Sequence, residues 1–106
     1  MGLHVLVDDL RDFGDIIIRN SEVALATLRK LHKSIESLSM DNDMGSGRPE
    51  GRQLLEQYMQ DCANHASYPP QVNIVTGNSS AACYMRATLK KHGYQGSGDG
   101  MTWRRP

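Results

Sequence analysis

The sequence predicts an α/β fold, a short parallel sheet of four to five strands with helices on both faces. Three observations lead there. Short β-branched apolar runs stop at aspartate or threonine, and longer amphipathic stretches separate most of them. Each amphipathic stretch also opens on a residue that suits a helix start. Strands alternating with helices in this way run parallel to one another.

Leu3–Val7 reads as a buried first strand stopped by Asp8 and Asp9, and Ile16-Ile17-Ile18 as a short second one. Too few residues lie between Val7 and Asp15 for a helical crossover, which needs about a dozen or more, so the first crossover is abbreviated. Asn20 or Ser21 caps a helix with Glu22 in its first turn and an apolar stripe of Val23, Leu25, Leu28 and Leu31 running down to His32. Ile35, Leu38 and Met40 mark a third strand ending at Asp41. After a loop with two glycines, Pro49 opens a helix from about Glu50 to His65 that buries Leu54, Leu55, Tyr58, Met59 and Cys62. Val72, Ile74 and Val75 form a fourth strand stopped by Thr76-Gly77-Asn78. Ser79 or Ser80 then caps a last helix through Ala82, Cys83, Met85 and Leu89, closed by Gly93. Residues 1–94 are therefore expected to be the domain, and 95–106 a mobile, glycine-rich tail in which Met101-Thr102-Trp103 is a candidate edge strand.

A chain of 106 residues suits a single domain with a modest core. Its 12 acidic and 12 basic residues cancel, which argues against a general attraction to nucleic acid or an anionic membrane but leaves room for a local charged site. Cys62 and Cys83 fit no metal-ligand spacing and read as reduced thiols. No secretory or membrane-spanning segment is read, and a cytoplasmic location is expected.

Ligands of parallel α/β sheets bind outside the carboxyl ends of the strands. Three strands end there in polar residues: Asp8 and Asp9, then Asp41 and Asp43, then Thr76 and Asn78. Four carboxylates at close quarters repel one another unless a hard cation such as Mg²⁺ or Mn²⁺ sits among them, or some of them hold protons. Aspartate and asparagine also follow strands simply as turn formers and helix caps. Arg11 has two open roles, a phosphate ligand reaching over the pocket or a surface partner of Asp12 or Asp15. Arg48 and Arg52, with Gly45 and Gly47, flank a helix start that suits an anion. His32, His65 and His92 fall at predicted helix C-termini, where a cation is favourable. No phosphate-binding P-loop, dinucleotide fingerprint or nucleophile elbow is present.

In this order of residues the chain resembles a response-regulator receiver domain. Asp8 and Asp9 match the acid pair after the first strand, Asp41 the phosphate-accepting aspartate, and Thr76 the hydroxyl residue after the fourth strand. A receiver's first helix and its lysine after the fifth strand are missing. The chain is more similar to a receiver-like family associated with the processing of cyclic phosphates. It shares that family's Asp8-Asp9-Leu10-Arg11 start, its short second strand ending near an arginine, the turn Asp41-Asn42-Asp43-Met44-Gly45, and Thr76-Gly77-Asn78. It departs from the family at Val75, where a histidine is frequent.

The resemblance implies a flavodoxin-like, three-layer sandwich and a phosphate-linked acidic site. A metal-dependent phosphoesterase is the reading that follows, acting on a cyclic phosphate of a nucleotide or an RNA end. Asp8, Asp9, Asp41 and Asp43 would hold Mg²⁺ or Mn²⁺, Arg11 would balance phosphoryl charge, and Thr76 and Asn78 would orient the ester. A transient aspartyl-phosphate on Asp41 is its receiver-like variant. The missing lysine and Val75 favour an alternative, a non-catalytic module that binds a protein partner or a nucleotide.

Overall fold

The apolar runs form strands and the amphipathic stretches form helices close to their expected bounds. The computed structural model describes residues 2–106. In chain order it contains β1 (Leu3–Val7), β2 (Ile16–Ile18), α1 (Ser21–Leu31), a 3₁₀ turn over His32–Ser34 and β3 (Ile35–Met40). Then come α2 (Gly51–His65), β4 (Gln71–Ile74), α3 (Ser79–Lys91), β5 (Gln95–Gly96) and β6 (Thr102–Arg104). The spatial order is β2-β1-β3-β4-β6-β5, with the first four strands parallel and β6 antiparallel to both β4 and β5.

Register decides which side chains meet the helices. Val5 and Val7 lie beside Leu38 and Met40, and these lie beside Val72 and Ile74. Alternation puts all six on one face, where they share a core with Ala24 and Leu28 of α1, Leu54, Leu55, Tyr58 and Met59 of α2, and Met85 and Leu89 of α3. Asn20 caps α1 as its sequence suggests, its Oδ1 accepting from the Glu22 amide at 2.8 Å. The last helix is capped not by Ser79 or Ser80 but by Asn78, whose Oδ1 accepts from the Ala81 amide at 3.0 Å.

The α/β, receiver-like arrangement of strands is as expected, but the second helical layer is absent, which corrects the three-layer expectation. The β2-to-β3 and β3-to-β4 crossovers move across the sheet in one direction, so right-handed connections stack α1 and α2 on one side, and α3 continues beside α2. Only β1 to β2 moves the other way, and its connection contains no helix. The uncovered face is polar and internally bonded. His4 Nδ1 lies 2.6 Å from Ser37 Oγ, and Asn73 Nδ2 donates to Ser39 Oγ at 3.0 Å. Gln71 Nε2 donates to Asn73 Oδ1 at 2.9 Å, and Arg104 Nε to Gln71 Oε1 at 3.1 Å. With its polar groups paired, this face meets water without an orphaned donor. The helix-free crossover covers Leu6 there. Gly14 (φ 92°) makes that close approach possible, because a Cβ would stand 2.9 Å from the His4 carbonyl oxygen.

The residues after 94 are not the mobile tail expected of them. They form a hairpin that extends the sheet to six strands, and Trp103, opposite Val72 and 4% exposed, joins the core. The Met101–Trp103 segment is accordingly an interior strand, with β5 outside it. Cys62 is buried, Cys83 is exposed, and both are free thiols. Among the described residues no helix is long and apolar enough to cross a membrane.

Candidate functional site

The parallel strands end level with one another, and their last hydrogen bonds aim the following residues into one place. The Asp8 amide donates to Ile18 O at 3.1 Å, the Asp41 amide to Val7 O at 3.0 Å, and the Val75 amide to Met40 O at 3.1 Å. Asp8 is fully buried and Asp41 is 5% exposed, with Asp9 on the more open side. One carboxylate oxygen from each of Asp8, Asp9 and Asp41 lies within 4.8 Å of the others. The donors are all hard oxygens, a set that suits Mg²⁺ or Mn²⁺.

Arg11 stands against two of the three. Its Nη1 lies 2.9 Å from Asp8 Oδ2 and 3.4 Å from Asp41 Oδ1, so its partners are neither Asp12 nor Asp15. Asp15 instead accepts from the His4 amide at 2.8 Å. The other oxygen of Asp8 accepts from the Leu10 and Arg11 amides at 2.9 and 3.1 Å. Arg19, at the end of β2, secures the turn by donating to Arg11 O at 2.6 Å and to Asp8 O at 3.4 Å.

These contacts drive the two buried acids apart. Burial pushes the Asp8 carboxyl up, but the Leu10 amide and the Arg11 side chain and amide outweigh it, and its pKa falls below the usual value. Asp41 receives less help. Burial raises its pKa, the neighbouring Asp8 charge adds to the rise, and the Asn42 amide and Arg11 offset only part of it.

The remaining predicted residues lie around this centre in different roles. Asp43 does not join the trio that metal ligation by four aspartates required. It is exposed and borders an open depression with Asp9, Gly45, Gly47, Arg48 and Asn78. The reason is local, since Asn42 turns inward and sends the next side chain out. Thr76 is 6% exposed, and its Oγ1 accepts from the Asn78 amide at 3.1 Å, while Asn78 caps α3. Arg48 and Arg52 are already paired, with Glu22 at 3.4 Å and Glu50 at 3.3 Å. His32, His65 and His92 sit at or near the C-terminal ends of the helices, away from the acidic trio.

Sequence reasoning gave no role to Asn42 or Gly51. Asn42 is 1% exposed, its Oδ1 accepts from the Arg52 amide at 3.2 Å, and its Nδ2 donates to Glu50 Oε2 at 3.0 Å. It ties the start of α2 to the Asp41 turn. Gly51 lets the helix come that close, because a Cβ there would stand 1.6 Å from Asp41 O. The position of Asn42 between two aspartates was its only signal, and nothing marked Gly51 apart from nearby glycines.

The chain matches the family described as the cyclic-phosphate processing receiver domain over residues 3–91. No curated protein and no solved structure matches it. That match spans β1 through α3 and includes every strand end that builds the acidic site. The chain belongs to the family of cyclic-phosphate processing receiver domains.

Proposed function

We propose that the domain hydrolyses a phosphoester, of the class of a cyclic phosphate on a nucleotide or RNA end, with the help of a divalent cation. The observation that carries this reading is the convergence of Asp8, Asp9 and Asp41 with Arg11 where β1 and β3 end. Asp8, Asp9 and Asp41 would hold Mg²⁺ or Mn²⁺, which would polarise the phosphoryl group and acidify the attacking water. Arg11, whose side chain is 43% exposed, is free to turn from the carboxylates to the phosphoryl oxygens and balance their charge. Thr76 offers a hydroxyl at the end of β4, beside the N-terminus of α3, where backbone amides favour an anion. Water adds to phosphorus, one ester P–O bond breaks, and the proton lost by the water balances the one gained by the leaving alkoxide. Asp43 and Asn78, which border the open depression, would contact the rest of the substrate.

A titration of Mg²⁺ and Mn²⁺ followed by thermal unfolding tests the cation site. The midpoint should rise with metal in the wild type and not in Asp41→Asn. A nucleoside 2′,3′-cyclic phosphate should then be hydrolysed only by the wild type. A folded protein that responds to neither metal nor substrate refutes the proposal. One observation favours a second reading, a binding module for a nucleotide or protein partner. By the resemblance drawn above, Val75 stands where that family frequently has a histidine, and the three helix-end histidines lie away from the trio. On that reading a cyclic nucleotide binds without turnover. A stable, Asp41-dependent gain of one phosphoryl group from a small phosphodonor would point instead to a phosphorylated switch.

A further inference from the structure

The β2 edge of the sheet is open. β2 has one neighbour, β1, and lies at the outside of the spatial order. Ile18 O accepts from the Asp8 amide at 3.1 Å, so the backbone of Ile18 faces β1. Successive residues of a strand direct their backbone groups to opposite sides, so the Ile17 N–H and C=O point away from the sheet. Among the described residues no loop amide or carbonyl reaches them. Strand edges are ordinarily blunted by lysine, proline, a bulge or a covering segment. This one is three isoleucines, with Ile16 and Ile17 half-buried. The opposite edge, β5, is blunted by comparison, being the two exposed residues Gln95 and Gly96.

The helix beside this edge adds an apolar strip to it. Arg29 pairs with Asp61 of α2, and Leu25 lines a depression with Gln53 and Leu54 of the same helix, so that side of α1 belongs to α2. At about 3.6 residues per turn, Val23 and Thr27 fall on the side away from α2. Since α1 meets β2 and α2 meets β3, that side faces the β2 edge. Val23 is 51% exposed, and Thr27 Oγ1 is occupied by donating to Val23 O at 2.8 Å.

We propose that the β2 edge pairs with the β2 edge of a second copy of the chain, antiparallel about a two-fold axis at Ile17. The run Asp15-Ile16-Ile17-Ile18-Arg19 complements itself in that register, which is what singles out a second copy over an unrelated strand. The two Ile17 residues exchange N–H···O=C bonds, Ile16 of each copy stands opposite Ile18 of the other, and Asp15 stands opposite Arg19. Asp15 Oδ2 is held by the His4 amide and Arg19 Nη1 by the Asp8 and Arg11 carbonyls, which leaves Asp15 Oδ1 and Arg19 Nη2 for that pairing. Exposed charge pairs of this kind fix register more than they add affinity. The same axis sets the two α1 helices side by side, with Val23 and Thr27 of each toward the other, and so widens the contact beyond two short strands. A net charge of zero leaves no overall repulsion between the copies. Because Arg19 secures the turn that carries Arg11, pairing at β2 also steadies one side of the acidic site.

Sedimentation velocity of the whole chain tests it. Small interfaces assemble in the micromolar range or above, so between about 1 and about 300 µM the wild type should pass from one chain mass to two. Ile17→Pro removes the outward N–H and leaves the ladder to β1 intact, and Val23→Lys brings two ammonium groups together across the axis. Each should move dimerisation to about tenfold higher concentration or beyond. Val23 is exposed, so its variant decides the matter if Ile17→Pro does not fold. Tyr84→Lys, on α3 at the far side of the helical layer, should leave dimerisation within about twofold. In the wild type the Ile17 amide should exchange with solvent more slowly as protein concentration rises. A single chain mass at every concentration overturns the proposal and leaves the edge to a strand of another protein. A dimer that neither Ile17→Pro nor Val23→Lys weakens, or that Tyr84→Lys weakens as much, overturns it too. Loss of the dimer in Val23→Lys with unchanged exchange at Ile17 overturns strand pairing in favour of helix packing alone.

Discussion

Gly51→Ala tests how the fold holds the Asp41 turn in place. The added Cβ would stand 1.6 Å from Asp41 O, 2.6 Å from Asp41 C and 2.9 Å from Asn42 Cα, all backbone atoms that no rotamer change can move. Restoring an ordinary contact requires the start of α2 and the Asp41 turn to separate by more than 1 Å. Overpacking of this kind costs about 3 kcal/mol at the upper end of its usual range. Separation also stretches the bonds from the Gly51 amide to Asn42 O (2.9 Å) and from the Arg52 amide to Asn42 Oδ1 (3.2 Å). Those losses add about 1 kcal/mol, and the better helix propensity of alanine returns about as much. A net loss near 3 kcal/mol lowers the melting midpoint of a domain this size by about 12 °C. Circular dichroism melts of Gly51→Ala and of Gly77→Ala give the comparison, since nothing lies within 4 Å of the corresponding position at Gly77. If the two variants melt within about 2 °C of each other, the close approach of α2 to the Asp41 turn is not tight and the reasoning fails.

The two buried acids should give opposite pH signatures. Asp41 has a raised pKa in the fold, so its ionisation costs stability as pH rises from the ordinary carboxylate value through the raised one, and without metal Asp41→Asn should melt higher at neutral pH, with the advantage gone below about pH 4. Asp8 has a lowered pKa, so its stabilisation is present above the ordinary value and lost as pH falls through the lowered one; Asp8→Asn should be destabilised at neutral pH, and acid melts should close the gap. Ala66 caps α2 in the left-handed region at φ 50°, and Ala66→Gly should raise the midpoint by an amount worth about 1 kcal/mol in denaturant titrations. Trp103→Phe keeps most of the buried area and should cost far less than Trp103→Ala, for which about 3–5 kcal/mol is expected by urea unfolding; equal and small losses would mean that the hairpin is no part of the core.

Most elements were legible because each carries its own period. The three helices show apolar stripes between recognisable starts and ends, and their bounds fall within a residue or two of those expected. The bare face was written in the sequence as well. Ser37-Leu38-Ser39-Met40 and Gln71-Val72-Asn73-Ile74 alternate polar with apolar, whereas strands covered on both faces read as continuous apolar runs. That alternation, joined to a first crossover too short for a helix, accounts for helices on one side only, and it outweighs the strand–helix alternation from which helices on both faces were expected. The hairpin was obscured by its own turn, since Gly96 to Gly100 reads equally as a flexible tail or as the tight loop that Ser97 and Asp99 close. At the site, Asp8, Asp9 and Asp41 follow strand ends directly, where direction is set by the ladder. Asp43 is two residues further on, and no local rule says on which side of a turn such a residue emerges.

Arg11 gives the acidic centre a second organisation that depends on no ligand. A guanidinium 2.9 Å from Asp8 and 3.4 Å from Asp41 supplies the positive charge that two buried carboxylates need, so the fold can form before any cation arrives. A cation that binds the trio must then compete with this resident charge. Arg11→Ala should therefore bind Mn²⁺ more tightly than the wild type in a calorimetric titration, while any turnover of a cyclic nucleotide falls because phosphoryl charge goes unbalanced. The alternative is that Arg11 chiefly holds the Asp8 turn, in which case its removal loosens the trio and weakens the metal too. Lysine distinguishes the two readings, since Arg11→Lys restores the charge without the planar fork. If Arg11 competes, the lysine variant should return metal affinity toward the wild-type value. Weakened Mn²⁺ binding in both variants would refute competition and leave Arg11 as a structural clamp alongside Arg19.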